Sequence, residues 1–74
     1  MRVRTMADLG ALVREARERA GLTQTGLARR SGVSREWLVK VEAGRTPAEM
    51  PRVLDLLEEL DLTLDVSPKE SKRG

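Results

Sequence analysis

The chain has 74 residues, with 14 Lys and Arg against 12 Asp and Glu for a net charge of +2, and it contains neither cysteine nor histidine. At this length it forms one domain whose core hides only about 60% of the surface exposed by the unfolded chain, so a monomer is marginally stable. The composition excludes disulfides, thiolate metal sites and histidine ligands; no metal or cofactor is expected, and dimerisation remains as the way to enlarge the core.

The N-terminal arm, residues 1–5, lacks an apolar run of signal-peptide length, and no stretch approaches a membrane span. With no cysteine, a cytoplasmic protein without a membrane partner is expected. From Met6 to about Ala20 the sequence predicts a first helix, with Thr5 as N-cap, Asp8 three positions on and Gly21 as the stop. Leu9, Leu12, Val13, Ala16 and Ala20 share one stripe at helical spacing, which leaves Arg14, Arg17, Glu18 and Arg19 pointing outward.

From Leu22 to Gly44 the sequence spells two short capped helices joined by a glycine turn. Thr23 caps a helix over about Gln24 to Arg30 that buries Leu27 and Ala28. The chain then breaks at Ser31-Gly32-Val33, and Ser34 caps a third helix over about Arg35 to Ala43, with Leu38 and Val41 inward and Gly44 as its stop. The small Ala28 lets the two helices approach, and Gly32 supplies a turn position of positive φ. Gly26 inside the second helix costs up to about 1 kcal/mol relative to Ala, with no compensation evident in the sequence. Two helices joined in this way form a helix-turn-helix, the device that enters the DNA major groove.

Thr46-Pro47-Ala48-Glu49 is a further helix-start signature, but Pro51 follows closely. Either the helix begins twice, or a short turn at 47–50 precedes a run from Pro51 to about Leu60. Val53, Leu54, Leu57 and Leu60 are read as the buried stripe, and Leu56 as apolar surface beyond what one face needs. After Asp61 the period switches to alternation, with Leu62, Leu64 and Val66 apolar around Thr63 and Asp65. A single strand over 61–66 has no partner within its own chain. It is therefore expected to pair with the same strand of a second copy as an antiparallel ribbon, unless it folds back on its own helix. Residues 67–74 are polar and proline-broken and read as a disordered tail.

Charge is divided along the chain. Residues 1–45 carry a net charge of +5 and residues 46–65 a net charge of −5, so the basic half coincides with the helix-turn-helix. A basic face toward nucleic acid follows, with an acidic face elsewhere.

The residues from Met6 to Leu60 resemble the Cro/C1-type, or Xre, helix-turn-helix family. Three segments bring the chain nearest to its HipB-like antitoxins: Ser34-Arg35-Glu36-Trp37-Leu38, Glu42-Ala43-Gly44-Arg45-Thr46-Pro47 and Leu60-Asp61-Leu62-Thr63-Leu64-Asp65-Val66. The resemblance implies an all-α, lambda-repressor-like bundle of four to five helices over residues 6–60, with the strand at 61–66 pairing across a homodimer through Leu62, Leu64 and Val66. It also implies a repressor that binds palindromic operators in its own promoter, autoregulating its operon with a HipA-like kinase toxin. Gly26 and Ser31 depart from the family pattern, since Glu or Ala is common at the first position and an apolar residue at the second. The tail has no apolar anchor for a toxin cleft.

In the family the start of the third helix meets base edges, which points here to Ser34, Arg35, Glu36, Trp37 and Lys40. The Arg35 guanidinium suits the O6 and N7 of guanine, and Glu36 suits the amino group of cytosine. Lys40 reaches a base or a phosphate, Ser34 divides its hydroxyl between cap and DNA, and Arg45 lies where a phosphate is expected. Gln24 corresponds to a residue that contacts phosphate and buttresses the recognition helix. Arg29 and Arg30 add attraction for phosphate. Each has a plainer role open to it as a solvated charge, and Lys40 has Glu36 at i,i+4 as an alternative partner. Trp37, at i−4 from Val41, is open between a base contact and a packing prop.

Two other function classes compete with the repressor-antitoxin reading. One is an interaction module that chiefly neutralises a toxin through the acidic surface of Asp55, Glu58, Glu59 and Asp61. The other is a stand-alone phage-type repressor without a toxin. An enzyme is not expected, because the chain has no histidine, cysteine or tyrosine and no phosphate-cradling glycine loop.

Overall fold

The computed structural model of the chain describes residues 2–69. Four helices follow one another: α1 (Met6–Arg19), α2 (Gln24–Ser31), α3 (Arg35–Glu42) and α4 (Met50–Glu59). The starts of α1, α2 and α3 are set by the expected caps. The Thr5 hydroxyl accepts from the Asp8 amide at 3.1 Å, Thr23 from Gly26 at 2.9 Å and Ser34 from Trp37 at 3.0 Å. The Asp8 carboxylate reaches back to the Arg4 amide at 2.9 Å, so the first turn of α1 is closed from both sides. Gly32 ends α2 in the left-handed conformation at φ 71°, which lets the Val33 amide return to the Ala28 carbonyl at 3.0 Å.

α3 packs against α1 and α2, and α4 closes the bundle against α2. The core is formed by Val13, Leu27, Leu38, Val41 and Leu56, all fully buried, with Ala28 and Leu60 beside them. Each such Val or Leu contributes roughly 1.5–3 kcal/mol relative to exposure.

In the C-terminal third the structure decides one alternative that the sequence left open, in favour of a single run after residues 47–49, and overturns two expectations. First, α4 starts only once. Thr46 does not cap it, its hydroxyl instead donating to the Pro47 carbonyl at 3.3 Å, and the helix opens after Glu49, which makes no side-chain cap bond. A helix begun at Pro47 would have needed an amide at residue 51, where proline has none, whereas Pro51 is tolerated in the first turn of a helix opening at Met50. Second, Leu56 is fully buried while Leu54 is 47% exposed. Val53, Leu56, Leu57 and Leu60 recur at i, i+3, i+4 and i+7, and that row faces the core. Third, no strand is present among the described residues. Asp61 turns the chain at φ 60°, the Leu62 amide bonds back to the Leu57 carbonyl at 2.8 Å, and Leu62 packs against the core. Leu64 and Val66 beyond it are exposed, since an isolated extended segment has no ladder partner in its own chain. Of the tail expected at 67–74, residues 70–74 lie outside the described ones.

Candidate nucleic-acid interface

The second half of the helix-turn-helix presents one face outward. Ser34, Arg35, Glu36, Val39 and Lys40 are exposed, while Leu38 and Val41 hold the opposite face in the core. Among the described residues, Arg29, Arg30, Arg35, Lys40 and Arg45 take part in no ion pair. Lys40 and Glu36 are thus not joined, although their i,i+4 spacing would allow it. Arg45 is exposed just past α3, its amide bonded to the Lys40 carbonyl at 2.9 Å. Arg35, Lys40 and Arg45 thus form an array of unpaired cations along α3 and just past it, the arrangement that polyanion binding requires.

The orientation of α3 is fixed from behind by a polar clamp. Arg17, expected to point outward, has a side chain only 12% exposed, and that of Glu42 is only 4% exposed. The Arg17 guanidinium donates to both carboxylate oxygens of Glu42, from Nε at 2.7 Å and from Nη2 at 3.1 Å, and from Nη1 to the Leu22 carbonyl at 2.9 Å. Gln24 donates its amide to Glu42 Oε1 at 3.1 Å, so it buttresses α3 through Glu42. One carboxylate therefore joins the end of α1, the start of α2 and the last turn of α3. Donation to the Glu42 carboxylate raises the Arg17 pKa above its ordinary value, against burial, which lowers it. Stability from this shift would be lost only as pH rises through that elevated value, so the guanidinium stays charged wherever the protein is folded.

Two glycines bring α1 close to α3. A Cβ at Gly10 would lie 2.6 Å from the Glu42 carbonyl oxygen and 2.8 Å from its carbon, and one at Gly44 would lie 2.8 Å from Ala7 Cα. Both clashes are with backbone, so neither position accepts a larger residue without moving α1 off α3.

Trp37, left open by the sequence, is half-buried and packs against the core. Arg52 of α4 lies over its ring at 5.6 Å, a cation–π distance. On the other side of the bundle Arg29, Arg30, Ser31 and Gly32 at the end of α2 face Asp55, Glu58 and Glu59 of α4 across an open cleft of about 350 Å³. The Ser31 hydroxyl is buried beside it with no hydrogen-bond partner among the described residues. Among those residues no acidic cluster suits a metal ion, and no helix is long and apolar enough to cross a membrane.

Sequence reasoning missed Arg17, Glu42 and Gly10. A signal existed for the first two: Arg17 follows Ala16 at i+4 from Val13, and Glu42 follows Val41 at i+4 from Leu38. Each charge thus borders a buried row, and two opposite charges so placed suggest a pair. For Gly10 the only signal was a glycine in mid-helix, which has no value there except for close approach.

Residues 8–67 match the helix-turn-helix domain family. An uncharacterized HTH-type transcriptional regulator of Sinorhizobium fredii is 38% identical over 73 residues, covering 97% of this chain and 96% of its own. The crystal structure of the restriction-modification controller protein C.AhdI from Aeromonas hydrophila superposes with a TM-score of 0.75 at 33% identity, over 78% of this chain and 84% of the other. HipB in its O2 20mer complex superposes with a TM-score of 0.83 at 17% identity, over 95% and 97% of the two chains, and so shares the fold. The match over most of the chain, with a regulator relative along nearly its full length, settles the class: this chain belongs to the helix-turn-helix family, as a DNA-binding transcriptional regulator of the Xre type.

Proposed function

We propose that the chain is a repressor that binds a palindromic operator in its own promoter as a homodimer. The observation that carries this reading is the unpaired cation array of Arg35, Lys40 and Arg45 on a helix held by the Arg17–Glu42–Gln24 clamp. Arg35 is assigned to a guanine edge, Glu36 to a cytosine amino group, Lys40 to a base or phosphate, and Ser34 and Arg45 to the DNA backbone. Gln24 keeps its second role at a phosphate through the second N–H of its side-chain amide, the first being donated to Glu42. Trp37 serves as a prop between α3 and α4 rather than as a reading residue.

Dimerisation is assigned to the C-terminal end. Met50, Leu54, Leu64 and Val66 are exposed at 52, 47, 50 and 89%, while Leu62 anchors the segment to its own core. Pairing of residues 61–66 with a second copy would satisfy the open backbone edge and cover this apolar surface, and would set two α3 helices about 34 Å apart. The partner reading is an antitoxin that neutralises a HipA-like kinase toxin, supported by the near full-length likeness to HipB, which has also been solved in a HipA–HipB–O2–O3 complex. A second reading is a stand-alone controller without a toxin, favoured by the higher identity to C.AhdI. The neighbouring reading frame separates the two: a kinase-like chain supports the antitoxin, and restriction or modification enzymes support the controller.

The decisive experiment is titration of the chain against duplex from its own upstream region at several salt concentrations. Neutralisation of six to ten phosphates per dimer predicts a fall in affinity of about a thousandfold or more between 50 and 200 mM salt. A flat response, or equal affinity for scrambled duplex, overturns the proposal.

A further inference from the structure

We propose that Val39 is a specificity-determining residue that packs on the C5-methyl group of a thymine in each half-site; this rests on the operator-binding reading above. Val39 is the one large apolar side chain exposed on the outward face of α3, at 36%, and it is absent from the residues packed on the core. It lies at i+4 from Arg35, at i+3 from Glu36 and next to Lys40, in the middle of the exposed charged row. Valine there serves neither helix propensity nor solubility, for both of which Ala, Lys or Glu would be better. A second copy of the chain is a poor occupant, because a two-fold contact through Val39 would bring Arg35 and Lys40 against their own copies. The major groove supplies a matching apolar group at one base only, thymine.

The geometry also says where that thymine lies. Four residues along α3 advance about 6 Å, and stacked base pairs advance about 3.4 Å, so the methyl read by Val39 falls within about two base pairs of the guanine assigned to Arg35.

The test starts from a duplex selected by the full chain out of a random-sequence pool. Each thymine of one half-site is then replaced by deoxyuridine, which lacks only the methyl group, and binding is measured for the native chain and for Val39→Ala. Burial of one methyl group corresponds to about a fourfold change in affinity. The native chain is expected to lose about that factor at one thymine near the Arg35 guanine, and Val39→Ala to bind the two duplexes equally. Circular dichroism of Val39→Ala should match that of the native chain, since the position is exposed and alanine favours the helix. Equal binding of both duplexes by the native chain overturns the proposal, as does an undiminished loss in Val39→Ala; either leaves operator binding intact. Failure to select any sequence overturns the operator reading itself.

Discussion

The two ends of the bundle are built to different standards of completeness. At the α1–α3 end, each helix start has a side-chain cap, the buried charges of Arg17 and Glu42 satisfy each other, and Gly10 and Gly44 let the helices meet backbone to backbone. At the α4 end the cap makes no side-chain bond, a non-glycine residue occupies a positive φ, and four large apolar side chains remain in solvent. The first end is a finished mount for a reading helix. The second leaves apolar surface in solvent, which the proposed dimer would cover, and the contrast teaches that local regularity is greatest where the packing is already complete.

The largest effect should come from opening the clamp. Glu42→Ala leaves the Arg17 guanidinium buried without its partner and removes the acceptor of Gln24, which should cost about 3–5 kcal/mol and lower the thermal midpoint sharply. A midpoint close to that of the native chain would mean that the α1–α3 end does not depend on this carboxylate. Next comes the unfinished end: Leu64→Asp with Val66→Asp should weaken self-association by about a hundredfold or more in sedimentation while helicity is retained. Unchanged association would move the interface elsewhere. Arg35→Ala should then lower affinity for the selected operator by about 1–3 kcal/mol without shifting the thermal midpoint, which separates reading from folding. Retained affinity would remove Arg35 from the contact set. The smallest effect is expected at Ser31, where Ala removes a buried hydroxyl without a partner and should raise stability by about 1 kcal/mol in chemical denaturation.

The same contrast governs how much could be read from the sequence. Thr5, Thr23 and Ser34 announced their helices because a cap acts on an amide three residues away, and the Leu27, Leu38 and Val41 core followed from the 3.6 period. Thr46 carried the same signature and failed, because Pro51 vetoed the helix it would have started. Exposure at Leu54 and burial at Leu56 were exchanged although the period separates them, since Leu56 completes the i, i+3, i+4, i+7 row begun at Val53 and Leu54 does not. The outward row of Arg35, Glu36 and Lys40 was legible as a helix face. The clamp behind it left only a trace, since Arg17 and Glu42 each border a buried row but lie 25 positions apart, and local periodicity does not join them.

The position of Trp37 under Arg52 gives the molecule a built-in optical reporter. It is the one tryptophan in a chain without tyrosine or phenylalanine, so all intrinsic emission arises where α3 meets α4. A ligand arriving at either helix that changes how this ring is covered should alter colour or intensity, and occupancy can then be followed in unlabelled material.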